Sequence, residues 1–406
     1  MQSCLELIPD DAQRVIVAFS GGLDSTVLLH LLVAEPRKFE IILWHFNHGL
    51  LDVAFDMQQF CIEQADRLGL EIRVEHLHLD EVAANVEAVA RHNRYAVFAQ
   101  HSRAGDCILT AHHADDQAET FLLNALRGSG SAGLRGIARQ RVLGSGALLL
   151  RPLLDCSRSQ LETYARQHEL AWIDDPSNQA SRFDRNYLRN QVIPLLRARW
   201  PHYQHAFATA SELQSEIQDL LDEVAALDLL QIKTTASKGI ATLDVAQLRL
   251  LSPGRRKNLV RYWIADAELA VLSHARMQEL MHQIHARTDA IPEIAMPDYS
   301  IRLYDQRLFL VVKDQLAERS GSFDFGLQAN VEIENFGLRM QRCEILEALE
   351  IRDQNQALSL KFRDEGEQNN DRHRLKRMFQ KHRVPPWERS AIAQVYLDGK
   401  LQGLLL

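Results

Sequence analysis

The chain has 406 residues but only five cysteines, Cys4, Cys61, Cys107, Cys156 and Cys343, and no two of them form a C-x-x-C pair. An odd number of widely scattered thiols reads as reduced cytoplasmic cysteine rather than a disulfide framework. The absent pair argues against a zinc ribbon or an iron–sulfur cluster. No uninterrupted apolar segment has the length needed to span a bilayer, and the N-terminus lacks a basic-then-apolar signal pattern. No membrane partner is therefore expected. No G-x-x-x-x-G-K-[ST] occurs, which excludes a Walker A loop. There is no internal repeat and no low-complexity tract. The formal net charge of -8 disfavours indiscriminate nucleic-acid binding but leaves room for local basic patches. Hydrophobic content of 46% and charged content of 25% are those of an ordinary globular protein, and the length suggests two or three domains.

What is present begins with Ser20-Gly21-Gly22-Leu23-Asp24-Ser25. The apolar run Val15 to Phe19 before it reads as a buried strand, and Thr26 to Leu32 after it as the first turns of a helix. A tight turn between the two aims backbone N–H groups at one point, where the helix N-terminus adds partial positive charge. Such a point suits phosphate. Gly21 and Gly22 let the backbone approach an anion closely. Asp24 would repel a phosphate unless a divalent cation bridges the two. Helix capping accounts for one polar residue here, not for two glycines and two serines around an aspartate.

Strands and helices alternate through the first half. Strands are expected at Phe39 to Phe46, Glu71 to Leu77, Cys107 to Ala111 and Ala147 to Leu150. Helices are expected at Asp52 to Leu68, Asn85 to Ser102 and Asp115 to Leu126. Repeated βα units imply a parallel sheet with helices on both faces and ligands beyond the carboxyl ends of its strands. Polar clusters stand at those ends: His45-Phe46-Asn47-His48-Gly49-Leu50, then His112-His113-Ala114-Asp115-Asp116, then Arg151-Pro152. Glu87, Arg91 and Arg94 share one helical face, for which a surface ion pair is the plain alternative. Gly128 to Gly133 matches G-x-G-x-x-G but follows a helix, so it reads as a flexible loop. Arg182, Arg185, Arg189, Arg197 and Arg199 read either as a solvated helix face or as a surface for nucleic acid.

The SGGLDS turn resembles the signature of the PP-loop ATP pyrophosphatases, which cleave ATP between the α- and β-phosphates. Taken with HFNHGL, the helix of Glu87, Arg91 and Arg94, TAHHADDQAET, Arg127-Gly128-Ser129-Gly130, RPLL, Asp174 to Asn178 and Arg189-Asn190, the chain resembles the tRNA(Ile)-lysidine synthetase family. The likeness is dense in the first half, thins through the middle and returns in Lys376, Phe379-Gln380, Val384 to Trp387 and Arg389. It implies an α/β fold of the PP-loop, adenine nucleotide α-hydrolase-like kind. A mainly helical middle domain and a small α+β C-terminal domain would follow. The boundaries expected are 1–200, 201–313 and 323–406, with Asp314 to Ser322 as a linker.

The resemblance implies ATP-dependent ligation of L-lysine to C2 of the wobble cytidine of tRNA(Ile) bearing a CAU anticodon, with Mg2+ as cofactor. Ser20, Gly21, Gly22, Leu23, Asp24 and Ser25 would bind the nucleotide. Asp24, His112, Asp115, Asp116, Glu87 and Arg91 would be catalytic, and Asp24 and Asp116 would hold the metal. Arg94, Arg127, Arg151, Arg189, Arg374, Lys376, Arg377 and Lys381 would contact tRNA. Arg372 to Arg383 carries six Lys/Arg and no acid, with Leu375, Met378 and Phe379 available to pack inward. A homodimer is compatible with the reading. Another PP-loop tRNA enzyme, a thiolase, is the alternative. Many thiolases carry sulfur or a cluster on paired cysteines, which are absent here.

Overall fold

Val15 and Val17 turn to one side of a central strand and Ile16 to the other, and all three are fully buried. Successive side chains point to opposite faces of a strand, so an unbroken apolar run needs cover on both sides. The computed structural model describes residues 2–37, 39–47, 53–76, 86–174, 184–237, 240–285, 292–313, 322–326, 330–333, 338–349, 357–362 and 371–405. The chain forms two compact units, Met1–Leu220 and Leu221–Leu406.

The first unit runs β1 (Arg14–Ala18), α1 (Leu23–Val33), β2 (Glu40–Asn47), α2 (Val53–Leu68), β3 (Glu71–His76), α3 (Val86–His101), β4 (Cys107–Leu109), α4 (Ala114–Leu126), α5 (Ser131–Leu134), β5 (Gln140–Val142), β6 (Leu148–Leu150) and α6 (Arg158–Gln167). It continues through α7 (Asp184–Tyr187), a π-helical turn (Leu188–Val192), α8 (Ile193–Arg199) and the start of α9 (Tyr203–Ile232). Its sheet has the order β3-β2-β1-β4-β6-β5, parallel throughout except for β5. Leu28, Leu31, Cys61, Leu161 and Ala165, from α1, α2 and α6, pack on the Val15/Val17 face. Phe98 of α3 packs with Ile16, Trp44 and Leu149 on the other. The chain leaves β1 for β2 and β3, then crosses back to place β4 on β1's far side. The crevice at the carboxyl ends of β1 and β4 is thus the switch point where open α/β sheets bind ligands.

The parallel sheet with helices on both faces is as expected. Strand β5 is an addition. It pairs antiparallel with β6, and all three of its residues are exposed, so it carries no alternation to read. The glycine-rich stretch expected as a flexible loop instead closes into α5. Asn124 Nδ2 donates to Gly133 O at 2.7 Å, and Ser131 Oγ to Gln218 Oε1 at 2.7 Å.

The second unit holds most of the remaining elements. Strands β7 (Lys233–Ser237) and β8 (Ile240–Asp244) precede α10 (Val245–Leu250), α11 (Pro253–Asp266) and α12 (His274–His285); β9 (Glu293–Ala295), β10 (Tyr299–Tyr304) and β11 (Arg307–Val312) follow. The middle region is helical, and it also builds an antiparallel sheet of order β7-β8-β11-β10-β9. Then come β12 (Ser322–Gly326), β13 (Asn330–Ile333), β14 (Leu338–Gln341), α13 (Arg342–Ala348), β15 (Leu358–Lys361), α14 (Arg372–Lys381), β16 (Ala393–Leu397) and β17 (Lys400–Leu405). The C-terminal part is antiparallel, with sheets β12-β15-β16-β17 and β13-β14.

Candidate active site

The loop from β1 to α1 is shaped by its hydroxyls. Ser25 Oγ and Thr26 Oγ1 each donate to Gly22 O at 3.0 Å, and Ser20 Oγ lies 3.1 Å from Ser25 Oγ. Gly21 has φ +80, and a Cβ there would stand 3.0 Å from Cys61 Sγ and 3.1 Å from Phe60 Cδ1. Both the backbone conformation and the close packing demand glycine. Ile173 N donates to Gly21 O at 3.0 Å and fixes the loop from outside.

Asp24, in the first turn of α1, faces the start of α4. Its Oδ2 lies 3.4 Å from Arg158 Nη1 and 3.6 Å from His113 Nε2, while its Oδ1 is buried with no hydrogen-bond partner. Burial raises its pKa above the usual carboxylate range, against the opposing pull of His113 and Arg158. His113 is the N-cap of α4 and is buried between three aspartates. Its Nε2 is 3.4 Å from Asp116 Oδ2, and its Nδ1 is 3.8 Å from Asp115 Oδ2.

The other two carboxylates are heavily engaged. Asp115 Oδ1 accepts from Tyr203 OH at 2.5 Å, Arg197 Nη2 at 3.3 Å and Gln204 Nε2 at 3.3 Å, and its Oδ2 accepts from Arg158 N at 2.9 Å. Asp116 Oδ2 accepts from His113 N at 3.0 Å, and its Oδ1 accepts from Arg185 Nη2 at 3.0 Å and Arg189 Nη2 at 3.3 Å. Burial opposes ionisation of both. It is outweighed at Asp115 by the Arg158 N–H and the Tyr203 hydroxyl, and at Asp116 by His113 and Arg185, so both lie below the usual range. One turn on, Glu119 accepts from Arg185 Nε at 2.8 Å, Arg189 Nε at 2.7 Å and Arg189 Nη2 at 2.9 Å.

The arrangement is therefore an anion-accepting turn with a desolvated carboxylate beside it, facing a helix start whose acids are already paired. Among the described residues, only Asp24 offers a buried carboxylate oxygen without a partner. A divalent cation fits there, whereas both Asp116 oxygens already accept hydrogen bonds from the protein. Among the described residues, no group of three or more His, Cys, Asp or Glu side chains forms a ready-made metal cage. A cation at Asp24 would take its remaining ligands from phosphate and water, as magnesium commonly does.

A PP-loop domain model matches residues 1–196, a TilS substrate binding domain model residues 243–309, and a TilS substrate C-terminal domain model residues 357–402. The tRNA(Ile)-lysidine synthase of Serratia proteamaculans is 37% identical over 96% of this chain and 90% of its own. The chain belongs to the tRNA(Ile)-lysidine synthase family. The synthase of that name from Legionella pneumophila strain Lens is 33% identical over 96% of this chain and 90% of its own. That from Alkalilimnicola ehrlichii is 38% identical over 94% and 86%. Among solved structures, the U34-tRNA thiolase NcsA of Methanococcus maripaludis aligns with a TM-score of 0.44 and 17% identity, over 53% of this chain and 78% of that one.

The PP-loop match lies in the first unit, and both TilS matches fall in the second. Of the residues singled out in the sequence, Ser20 to Ser25, Asp115, Asp116 and Arg189 converge on one site. His112 stands at its margin, with Nδ1 2.9 Å from Thr110 Oγ1. Arg189 is turned inward onto Glu119 and Asp116, where it secures carboxylates. Arg151 is only 3% exposed; it donates to Ala138 O and, at 3.0 Å, to Tyr95 OH, so it braces α3 rather than meeting a solvent-borne ligand. The Arg94 guanidinium lies 5.6 Å over the Phe46 ring. Arg127 is open to solvent, 3.6 Å from Asp184. Glu87 and Arg91 lie on α3, and their side chains fall outside the described residues, as do His48 to Leu50, Asp175 to Asn178, Arg182 and the linker 314–321. On α14, Leu375 and Phe379 are buried, while Arg374, Lys376, Arg377 and Lys381 are exposed.

Sequence reading chose His112 of the histidine pair where the structure places His113 between the carboxylates, and it assigned no role to Arg158, Glu119 or Tyr203. For Glu119 a signal existed, since it stands three residues beyond Asp116 on the same helical face. Arg158 and Tyr203 belong to no pattern.

Proposed function

We propose that this enzyme joins L-lysine to C2 of the wobble cytidine of tRNA(Ile) with a CAU anticodon, consuming ATP and releasing AMP and pyrophosphate. The observation that carries the chemistry is Asp24. It is held at the phosphate-accepting turn with one buried, unpartnered oxygen, within a family whose curated members are tRNA(Ile)-lysidine synthases. The cytidine C2 carbonyl oxygen attacks the α-phosphorus, pyrophosphate departs, and the lysine ε-amine then displaces AMP at C2.

The chain's own groups account for much of this. Backbone N–H groups of Gly21 to Ser25 and the α1 N-terminus accept phosphate charge. Asp24 would hold Mg2+ through Oδ1, and that ion would supply charge neutralisation on the phosphates. A free lysine ammonium, with a side-chain pKa near ~10.4, must lose a proton before it attacks. Asp116 is held as a carboxylate by its arginines and is a weak base. Asp24, raised by burial, is the stronger one until a cation occupies it.

The exposed α14 cations are the surface that suits the tRNA backbone, and a tRNA substrate suits a cytoplasmic enzyme. A second copy of the chain is the partner that suits α9. Ser211, Ala225, Asp228 and Ile232 are buried on one side of it. Leu213, Ile217, Leu220, Val224 and Leu227 are exposed on another, with the alternating four- and three-residue spacing of a coiled-coil seam. Pyrophosphate release with tRNA(Ile) and L-lysine, compared with ammonia or a sulfur donor in place of lysine, tests the function. Equal product with ammonia, or sulfur entering the tRNA, would replace it with a different acceptor chemistry.

A further inference from the structure

Arg158 opens α6 directly after its N-cap Ser157 and places a cation beside Asp24. Its anchorage is unusual in being through the main chain. The Arg158 backbone N–H is held by Asp115 Oδ2 at 2.9 Å, and Asp115 is itself buried and fixed by Tyr203, Arg197 and Gln204. The guanidinium is held loosely by comparison. It lies 3.4 Å from Asp24 Oδ2 and 3.5 Å from Glu162 Oε1, both longer than the ~2.7–2.9 Å of a strong charge-assisted bond, and the side chain is 34% exposed. The Cα is thus fixed at the mouth of the phosphate-accepting turn, while the charged head remains free to change partner. Its present partner is the carboxylate that the arriving cation and nucleotide would claim.

We propose that Arg158 is a further catalytic residue, which rests on Asp24 in the free enzyme and passes to the β- and γ-phosphates of ATP when the nucleotide binds. The inference rests on the ATP chemistry of the proposed function but not on lysine as acceptor. In the adenylation step the acceptor oxygen forms a bond to the α-phosphorus, and the bond from that phosphorus to the bridging oxygen breaks. The electron pair leaves on pyrophosphate, where Arg158 donates hydrogen bonds to the growing negative charge and keeps its own protons. Planar paired donors suit that anion better than a point charge does. Asp115 and Tyr203 act as positioning residues, through the Arg158 main chain.

The test compares Arg158→Ala, Arg158→Gln and Arg158→Lys in the full-length protein. Every variant keeps the backbone N–H that Asp115 grips, so the melting temperature is expected to match the parent. Calorimetric binding of ATP should weaken at least tenfold in Arg158→Ala and Arg158→Gln, while AMP binding stays within about twofold. That split assigns the residue to the β- and γ-phosphates. Pyrophosphate release should lose about 10²–10³-fold in kcat/KM for ATP, as when a single transition-state donor is removed. The KM for lysine should be unchanged, Arg158→Lys should recover part of the loss, and added guanidinium ion should rescue Arg158→Ala. Parent-like ATP binding in folded Arg158→Ala and Arg158→Gln would overturn the proposal. Equal losses for ATP and AMP would also overturn it, by reducing Arg158 to a structural part. If the parent turns over with an acceptor other than lysine, the ligase reading fails while the split between ATP and AMP still decides the role of Arg158.

Discussion

Replacing Glu119 with leucine removes the acceptor for three guanidinium hydrogen bonds at once. Glu119 is 1% exposed, and its two partners, Arg185 and Arg189, have side chains 17% and 26% exposed. Removing one member of a buried ion pair costs about 3–5 kcal/mol, because the remaining charge stays buried without compensation. Both arginines keep Asp116 Oδ1 and retain some access to water, so the lower end, about 3 kcal/mol, applies here. The unit that carries the pair spans Met1–Leu220. For a unit of that size, 1 kcal/mol moves the melting temperature by about 2–4 °C, so the expected loss is roughly 6–12 °C. Differential scanning calorimetry reads it as a shift of the transition belonging to this unit. Adding Arg189→Met to Glu119→Leu should return part of the loss, since apolar replacement of a whole buried pair is often neutral or better. A shift under about 2 °C, or a double variant as unstable as the sum of its parts, would mean that the cluster behaves like a surface ion pair and that the burial argument is mistaken.

Asp24→Asn is expected to abolish pyrophosphate release while leaving the melting temperature intact; a folded variant with parent activity would remove Asp24 from the mechanism. Lys376→Glu, Arg377→Glu and Lys381→Glu together should weaken tRNA binding and flatten its salt dependence, by up to about 0.7–0.9 in log–log slope for each phosphate no longer neutralised. An unchanged slope would leave α14 a solvated face. Asp115 and Asp116 have lower pKa values folded than unfolded, so the unfolded chain binds more protons once the pH drops below about 4, and the stability they contribute is lost toward still lower pH. Urea midpoints against pH should show that slope, and Asp116→Asn should flatten it; identical slopes would contradict the assignment. Leu220→Glu with Leu227→Glu should yield a monomer by light scattering where the parent is a dimer, and a monomeric parent would dismiss the α9 seam.

The parts of this molecule legible in its sequence are those fixed by local pattern. The buried strand of Val15 to Val17, the turn with its two glycines and the amphipathic helix carrying Leu375 and Phe379 each follow from residues a few positions apart. The site's electrostatics do not. Glu119 meets arginines 66 and 70 residues further along the chain, and Asp115 meets Tyr203 at a separation of 88. Such pairings are set by how helices return to the sheet edge, which no local spacing encodes. His112 and His113 are equally prominent in the sequence. The extended N-cap backbone of His113, with φ -126 and ψ 178, turns that ring inward between the carboxylates and leaves His112 at the rim. Arg151 looked like a groove cation because it closes a strand end, yet it is buried against Ala138 and Tyr95.

The sulfur beneath Gly21 has a chemical consequence. Cys61 is fully buried, and burial pushes its thiol up to about 12. Only the thiolate reacts with alkylating agents and oxidants, and near neutral pH it makes up roughly one part in 10⁵ of such a group. Thiol reagents can therefore reach Cys61 only when α2 parts from the loop between β1 and α1. The rate at which Cys61 is labelled becomes a clock for local opening of that loop, and bound nucleotide should slow the clock.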